Sequence, residues 1–377
     1  MGAGIEASAK ADGWAGPGES PTLRDGPVEN MRALGTRGEG GMARIRIGII
    51  GLGNAVEPHA KSLIDLADRV EVVAAASRSE DRLKAFAQRF AFPMTTDIEG
   101  LLASRDIDAV WILTPPNSHL DLVKAAAKGR KHVLLEKPLD ISLDRAGAIV
   151  AGMRAVGLTL GVTLQHRFRP ASLRLKAIMD EGALGTIGAA SCTVPWWRPQ
   201  AYYDQPGRCT MARDGGGVLI TQAIHTLDLF RSLVGDITVT AATAATTAVH
   251  RMETEDFAAA LIRLSNGAPG VIQATTAAYP GGEERIEIMG TLGTAWLAGG
   301  NLRVAFIDGR EEVVRHEGAT GGGANVMDFP HDWHRALITD FLDAIKEGRD
   351  PVVSGDEALK SQELIGEILD EAGWRTA

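Results

Sequence analysis

Apolar residues follow no pattern over the first 41 residues and a strong one from Arg44 onward. The leading segment is rich in glycine and charge and has neither a strand nor a helix period. Such a stretch buries too little apolar surface to offset the entropy of ordering it, so residues 1–41 are expected to be a disordered tail. Met42, just ahead of the first apolar run, is an equally good start of translation. Ile45, Ile47, Ile49 and Ile50 then predict a strand, and Gly51-Leu52-Gly53-Asn54 a turn. A helix through His59–Leu63 and a second apolar strand, Val70–Ala76, come next. The alternation continues with a strand over Ile107–Leu113, a helix over Leu120–Lys128 and a strand over Lys131–Leu135.

Past residue 164 the pattern changes. A helix opening at Gln165 runs to about Glu181. It gives way to β-rich segments at 185–197, 237–248, 256–265, 270–279, 284–290, 293–299 and 301–307, several divided by turns such as Ser265-Asn266-Gly267 and Asp308-Gly309. Two helices, roughly 331–348 and 355–373, close the chain. A chain of 377 residues is too long for one ordinary core. The expected domains are 42–163, an α/β unit, and 164–377, an α+β unit.

Strand, glycine-rich turn, helix, strand is the βαβ unit of a Rossmann dinucleotide-binding domain. Gly51 permits the tight turn, and Gly53 lets the backbone approach a pyrophosphate, which then sits on the free N–H groups of the helix start. The third position of the glycine fingerprint falls on Val56, so helix and strand must pack around a larger side chain. After the second strand, where an NAD site places an acid for the ribose hydroxyl, the chain reads Ser77-Arg78-Ser79. No carboxylate stands there to repel a 2′-phosphate, and Arg78 offers it a charged fork, which favours NADP while leaving NAD possible. Plainer readings stay open: Arg78 as a solvated loop residue, and Asn117 as a cap for a helix starting at Ser118. In a doubly wound sheet ligands lie beyond the carboxyl ends of the strands. Candidate cofactor contacts are therefore Gly51, Gly53, Asn54, Ser77, Arg78, Thr114, Pro115, Asn117, His119 and Glu136.

Composition narrows the class. Hydrophobic residues at 45% and charged residues at 23% are the balance of a soluble globular protein. A net charge of −9 argues against nucleic-acid partners, which need a basic footprint. Cys192 and Cys209 are too few for a disulfide framework or a cysteine-rich metal site. With no apolar run long enough to span a bilayer and no secretory leader, a cytoplasmic protein without membrane partners is expected.

Four motifs in order, GIIGLGN, TPPNSH, LLEKPLD and GGGVLITQAIHTLDL, resemble the Gfo/Idh/MocA oxidoreductases over residues 44–375. The resemblance implies an N-terminal Rossmann domain followed by an α+β domain with a large, mostly antiparallel open sheet. It implies an NAD(P)-dependent dehydrogenase or reductase acting on a CH–OH group of a sugar, cyclitol or related small molecule. Glu136-Lys137-Pro138 matches the family's catalytic motif, and His225 its second active-site residue. Where the family often has Asp four residues before that histidine, this chain has Thr221, which cannot take a proton as a carboxylate does. The family's open sheet packs against a second subunit, implying a homodimer or homotetramer; a solvated, threonine-rich face is the plainer alternative.

Hydride transfer leaves an oxygen that must shed its proton. A lysine in water titrates near ~10.4 and is a poor base, but desolvation in a cleft lowers that value. A histidine starts near ~6.5. Lys137 and His225 are thus the candidate catalytic pair, with Arg167, Trp197 and Thr221 as further substrate contacts. Arg169, and Arg198 within the aromatic stretch Pro195–Tyr203, are weaker candidates, and Asp228 is assigned to structure. His331 and His334 lack a third ligand nearby, so no metal is expected. A noncatalytic, cofactor-sensing protein of the same fold is the alternative function; retention of Lys137 with His225 favours the enzyme.

Overall fold

A computed structural model describes residues 44–318 and 330–374 of the chain. The expected tail, 1–41, and Met42 lie outside the described residues. Six parallel strands form the first sheet: β1 (Ile45–Ile50), β2 (Val70–Ala76), β3 (Met94–Thr95), β4 (Ala109–Ile112), β5 (His132–Leu135) and β6 (Leu160–Val162), in the order β3-β2-β1-β4-β5-β6. Strands β1, β4 and β5 read as near-continuous apolar runs because helices cover both faces of the sheet. Ile47, Ile49, Trp111 and Leu134 are completely buried. The chain order reverses between β1 and β4, which opens the crevice where such sheets take ligands.

The second sheet has eight strands among the described residues: β7 (Ile187–Pro195), β8 (Ile237–Ala245), β9 (Phe257–Leu264), β10 (Pro269–Thr275), β11 (Arg285–Gly290), β12 (Gly293–Ala298), β13 (Asn301–Phe306) and β14 (Glu311–Val314). Their order is β14-β13-β12-β11-β7-β10-β9-β8, antiparallel except for the β7–β10 pair. Alternation sets its two faces. Ile262, Ile272, Cys192, Ile288 and Leu297 point into the core, whereas Leu261, Val271, Met289 and Val313 are exposed on the other face.

Several boundaries differ from expectation. Strand β8 stops at Ala245 because the Asp256 carboxylate takes the Thr247 N–H and hydroxyl, each at 2.7 Å. Strand β10 stops at Thr275, whose hydroxyl accepts the Ala277 N–H at 3.0 Å. Strand β14 was not expected at all; its short, charged sequence gives little period to read. The expected second-domain helix at 331–348 forms as Asp332–Glu347 but returns to the first sheet, where Phe341 meets the Trp111 ring edge-on at 5.5 Å. No helix among the described residues is long and apolar enough to cross a membrane.

Candidate active site

The turn after β1 has the shape a dinucleotide requires. Gly51 adopts φ +101°, and a Cβ there would run into the Leu113 carbonyl group and the Thr114 nitrogen at 2.8–2.9 Å. At Gly53 a Cβ would meet nothing within 4 Å, so the backbone is open to a close-approaching ligand. The helix Val56–Asp65 begins without a side-chain cap, which leaves N–H groups of its first turn for an anion. Val56, in the third glycine's place, is buried in the core. These residues fit the pyrophosphate of a dinucleotide, and Asn54 lies exposed at the rim.

At the end of β2, the Ser77 hydroxyl accepts the Ser79 N–H at 3.2 Å, and Ser79 caps the next helix. Arg78 projects exposed between them. At the end of β4, Thr114 accepts a 2.7 Å hydrogen bond from Ser118, and Pro115 leads into a tight turn over Pro116–Ser118. Asn117 caps no helix; its amide donates to the Ala212 carbonyl at 3.2 Å. His119 is wholly buried, its ring nitrogens 2.8 Å from the Thr114 carbonyl and 3.1 Å from those of Pro138 and Leu139. Both ring nitrogens thus face carbonyl oxygens at the β4 and β5 ends, while burial lowers the pKa of the imidazole. Glu136 stands 3.6 Å from the buried His59 ring.

Lys137 follows at the end of β5, joined to Pro138 by a cis peptide bond, an isomer the sequence left open. Its Nζ donates to the Thr221 carbonyl oxygen at 2.7 Å. Desolvation lowers its pKa below the ordinary lysine value; Glu136 opposes the shift and Arg208 adds to it. Thr221 lies in a π-helical turn, Leu219–Ala223, that leads into the helix Ile224–Val234 carrying His225. Such irregular turns recur at functional sites. The Thr221 side chain is spent on the Gly217 carbonyl at 2.6 Å, so its backbone, not its hydroxyl, serves the lysine. His225 stacks on His166 with ring centroids 5.0 Å apart. Burial, then the charge of Lys137, holds the His225 imidazole well below its usual pKa and therefore neutral.

Glu255 carries no motif in the sequence, yet it anchors this helix. Fully buried, it accepts the Gly217 N–H at 3.0 Å and the Leu219 N–H at 3.1 Å. A Cβ at Gly217 would overlap the Glu255 carbonyl oxygen, so glycine is required there. Its only sequence signal is a pair of acids opening an apolar strand. Burial, with the charge of Asp256 adding to it, outweighs the backbone hydrogen bonds and pushes the carboxyl from an ordinary 4.5 up to about 7. Between those values the folded chain holds a proton that the unfolded chain has released. Stability is therefore expected to fall as pH rises through that window, by on the order of 3 kcal/mol. Urea unfolding at about pH 5 and about pH 8 should show this slope in the wild type but not in Glu255→Gln; parallel behaviour would refute it.

Three arginine candidates do not face a ligand. Arg167 is locked to Asp228 by a fork of 2.7 and 2.6 Å and to Glu357 at 3.2 Å, so it is a buried structural cation, not a substrate contact. Arg169 pairs with Glu284 at 2.5 Å and lies 4.5 Å over the Trp333 ring. Arg198 is buried and donates to Gln222 at 3.0 Å. Trp197, half-buried, packs between His250 and Tyr279 at 5.7 and 5.4 Å. His331 pairs with Asp65 at 2.9 Å, while His334 meets the His59 ring edge-on at 5.0 Å.

Comparison with known proteins matches both parts of the chain. Residues 45–164 match an oxidoreductase family described by its NAD-binding Rossmann fold, and residues 172–296 match a GFO/IDH/MocA C-terminal domain. An uncharacterized oxidoreductase, YrbE, of Bacillus subtilis is 32% identical over 84% of this chain and 91% of its own. Inositol 2-dehydrogenase of Rhizobium meliloti is 27% identical over 85% of this chain and 94% of its own. The crystal structure of the WlbA dehydrogenase from Bordetella pertussis, in complex with NADH and UDP-GlcNAcA, superposes with a TM-score of 0.75 at 28% identity, covering 88% of this chain and 97% of that one. With both halves matched in order, the chain belongs to the Gfo/Idh/MocA family of NAD-binding oxidoreductases.

Proposed function

We propose that this protein is an NAD(P)-dependent dehydrogenase acting on a CH–OH group of a sugar, cyclitol or related hydroxy compound, with Lys137 and His225 moving the proton. The observation that carries it is the Lys137 amine, desolvated and held on the Thr221 carbonyl in the same site as a neutral His225. A bound nicotinamide supplies the hydride acceptor or donor. Once it has given up a proton, the lysine amine keeps two N–H donors and one lone pair. One N–H goes to Thr221, which leaves the lone pair to receive the substrate hydroxyl's proton at Nζ. His225, its ring stacked on His166, is the second group through which that proton passes. Inositol 2-dehydrogenase is named for a cyclitol, which supports the substrate class.

NADP is the favoured cofactor, because exposed Arg78 and the absence of an acid at Ser77–Ser79 suit a 2′-phosphate. Oxidation of a polyol and sugar panel with each cofactor tests both points. The wild type is expected to prefer NADP, and Arg78→Ala to shift the ratio toward NAD by roughly 10- to 100-fold. No turnover with either cofactor would sink the enzyme reading. A ratio unmoved by the substitution would sink the role of Arg78. The exposed Leu261, Val271 and Met289 of the open sheet further support a face that binds a second copy, with a monomer in light scattering as the contrary result.

A further inference from the structure

Beside Lys137 stands a second cation without a counter-charge. Arg208 forms no ion pair among the described residues. Its Nη1 donates to the Tyr202 hydroxyl at 3.3 Å and its Nη2 to Gln205 at 3.1 Å, while its plane lies 4.6 Å over the Tyr202 ring. Its Nε is buried and has no hydrogen-bond partner. The residues around it lead straight to the catalytic lysine. Tyr202 accepts from Gln222 at 2.7 Å, and the Sγ of Cys209 sits 3.7 Å from the Thr221 hydroxyl. Thr221 in turn holds Lys137 at 2.7 Å.

The nearby acids are already engaged. Asp214 receives the Cys209 N–H at 2.7 Å and pairs with Arg213 at 3.1 Å. Glu136 acts chiefly on Lys137, whose charge it favours. Thr221 contributes no carboxylate. A half-buried guanidinium with no acid paired to it, close to another basic group, is a ready partner for an anion from outside. An arginine also recognises a carboxylate by its fork, where a lysine supplies only a point charge.

We propose that the substrate is a hydroxy acid of sugar or cyclitol type, whose carboxylate is bound by Arg208 while its carbinol faces Lys137. This rests on the dehydrogenase reading above and names its substrate class. The anion supplies the counter-charge that Arg208 lacks.

Matched pairs test it: D-glucuronate against D-glucose, and D-galacturonate against D-galactose, each assayed for kcat/KM with NADP and NAD. The acid is expected to be preferred in at least one pair. Arg208→Gln should lower the acid-to-neutral ratio by roughly 10- to 100-fold, and Arg208→Lys should recover part of it by restoring charge without the fork. Thermal melting of both variants checks that they fold. If the neutral sugars are preferred, or Arg208→Gln leaves the ratio unchanged, this proposal fails and the dehydrogenase reading survives. Turnover of no compound, acid or neutral, overturns both.

Discussion

Lys137→Met is expected to lower turnover by about 10²- to 10⁴-fold while leaving the affinity for the dinucleotide unchanged. Methionine has similar length and fills the same space, so the cradle at Gly51–Val56 is untouched. What it lacks is the lone pair that takes a proton and the N–H that fixes it to the Thr221 carbonyl at 2.7 Å. Lys137→Arg separates these two losses. An arginine still donates to Thr221 and still carries charge, but it does not deprotonate in a protein and cannot act as a base. The proton-transfer role therefore predicts that Lys137→Arg is nearly as slow as Lys137→Met. A binding role alone predicts that it is nearly wild type. Pre-steady-state assays in both variants, with cofactor affinity read from fluorescence titration, distinguish the outcomes. An arginine variant with wild-type kcat would overturn the assignment of Lys137 as the base.

The first sheet was the most legible part of the chain, because a strand buried on both faces writes its burial directly as an apolar run, as in Ile45–Ile50 and Ala109–Ile112. Positions set by strand ends were legible for the same reason: Gly51, Thr114 and Lys137 are placed by the carboxyl ends of β1, β4 and β5, whatever their side chains do. Side-chain partners were not. The sequence offered Arg167 as a substrate contact, since a charge beside the domain junction reads the same whether it faces a ligand or a buried carboxylate. Only the distant Asp228 and Glu357 reveal that it is spent internally. Glu255 was invisible for a related cause: its partners are backbone amides of Gly217 and Leu219, which leave no mark on residue type beyond the glycine itself. The replacement of an acid by Thr221 was legible as a departure. Its consequence was not, because the lysine is held by a main-chain carbonyl that any residue would provide.

Asp228→Ala is expected to be the most destabilising single substitution near the site, at about 3–5 kcal/mol. The carboxylate is completely buried and accepts three hydrogen bonds: two from the Arg167 guanidinium and one, at 2.7 Å, from Ser361. Removing it leaves Arg167 with only Glu357, at 3.2 Å, to balance a buried charge. Glu357 cannot turn fully to it. Although burial would raise its pKa, the hydrogen bond and charge of Arg231 at 2.5 Å hold it down at about 2. The cost lies in the stranded cation, not in the loss of a pair that is itself strongly stabilising. Replacing both partners, as in Arg167→Met with Asp228→Leu, should therefore recover most of the stability, and urea unfolding of the two variants measures the difference. The pair also ties the segment Gln165–Phe168 to the helix Ile224–Val234, on which His225 lies one turn before Asp228. Since His166 of that segment stacks on His225, the double variant should stay folded yet lose some turnover through a less fixed imidazole. Full activity in that variant would mean that His225 is held by its own helix alone.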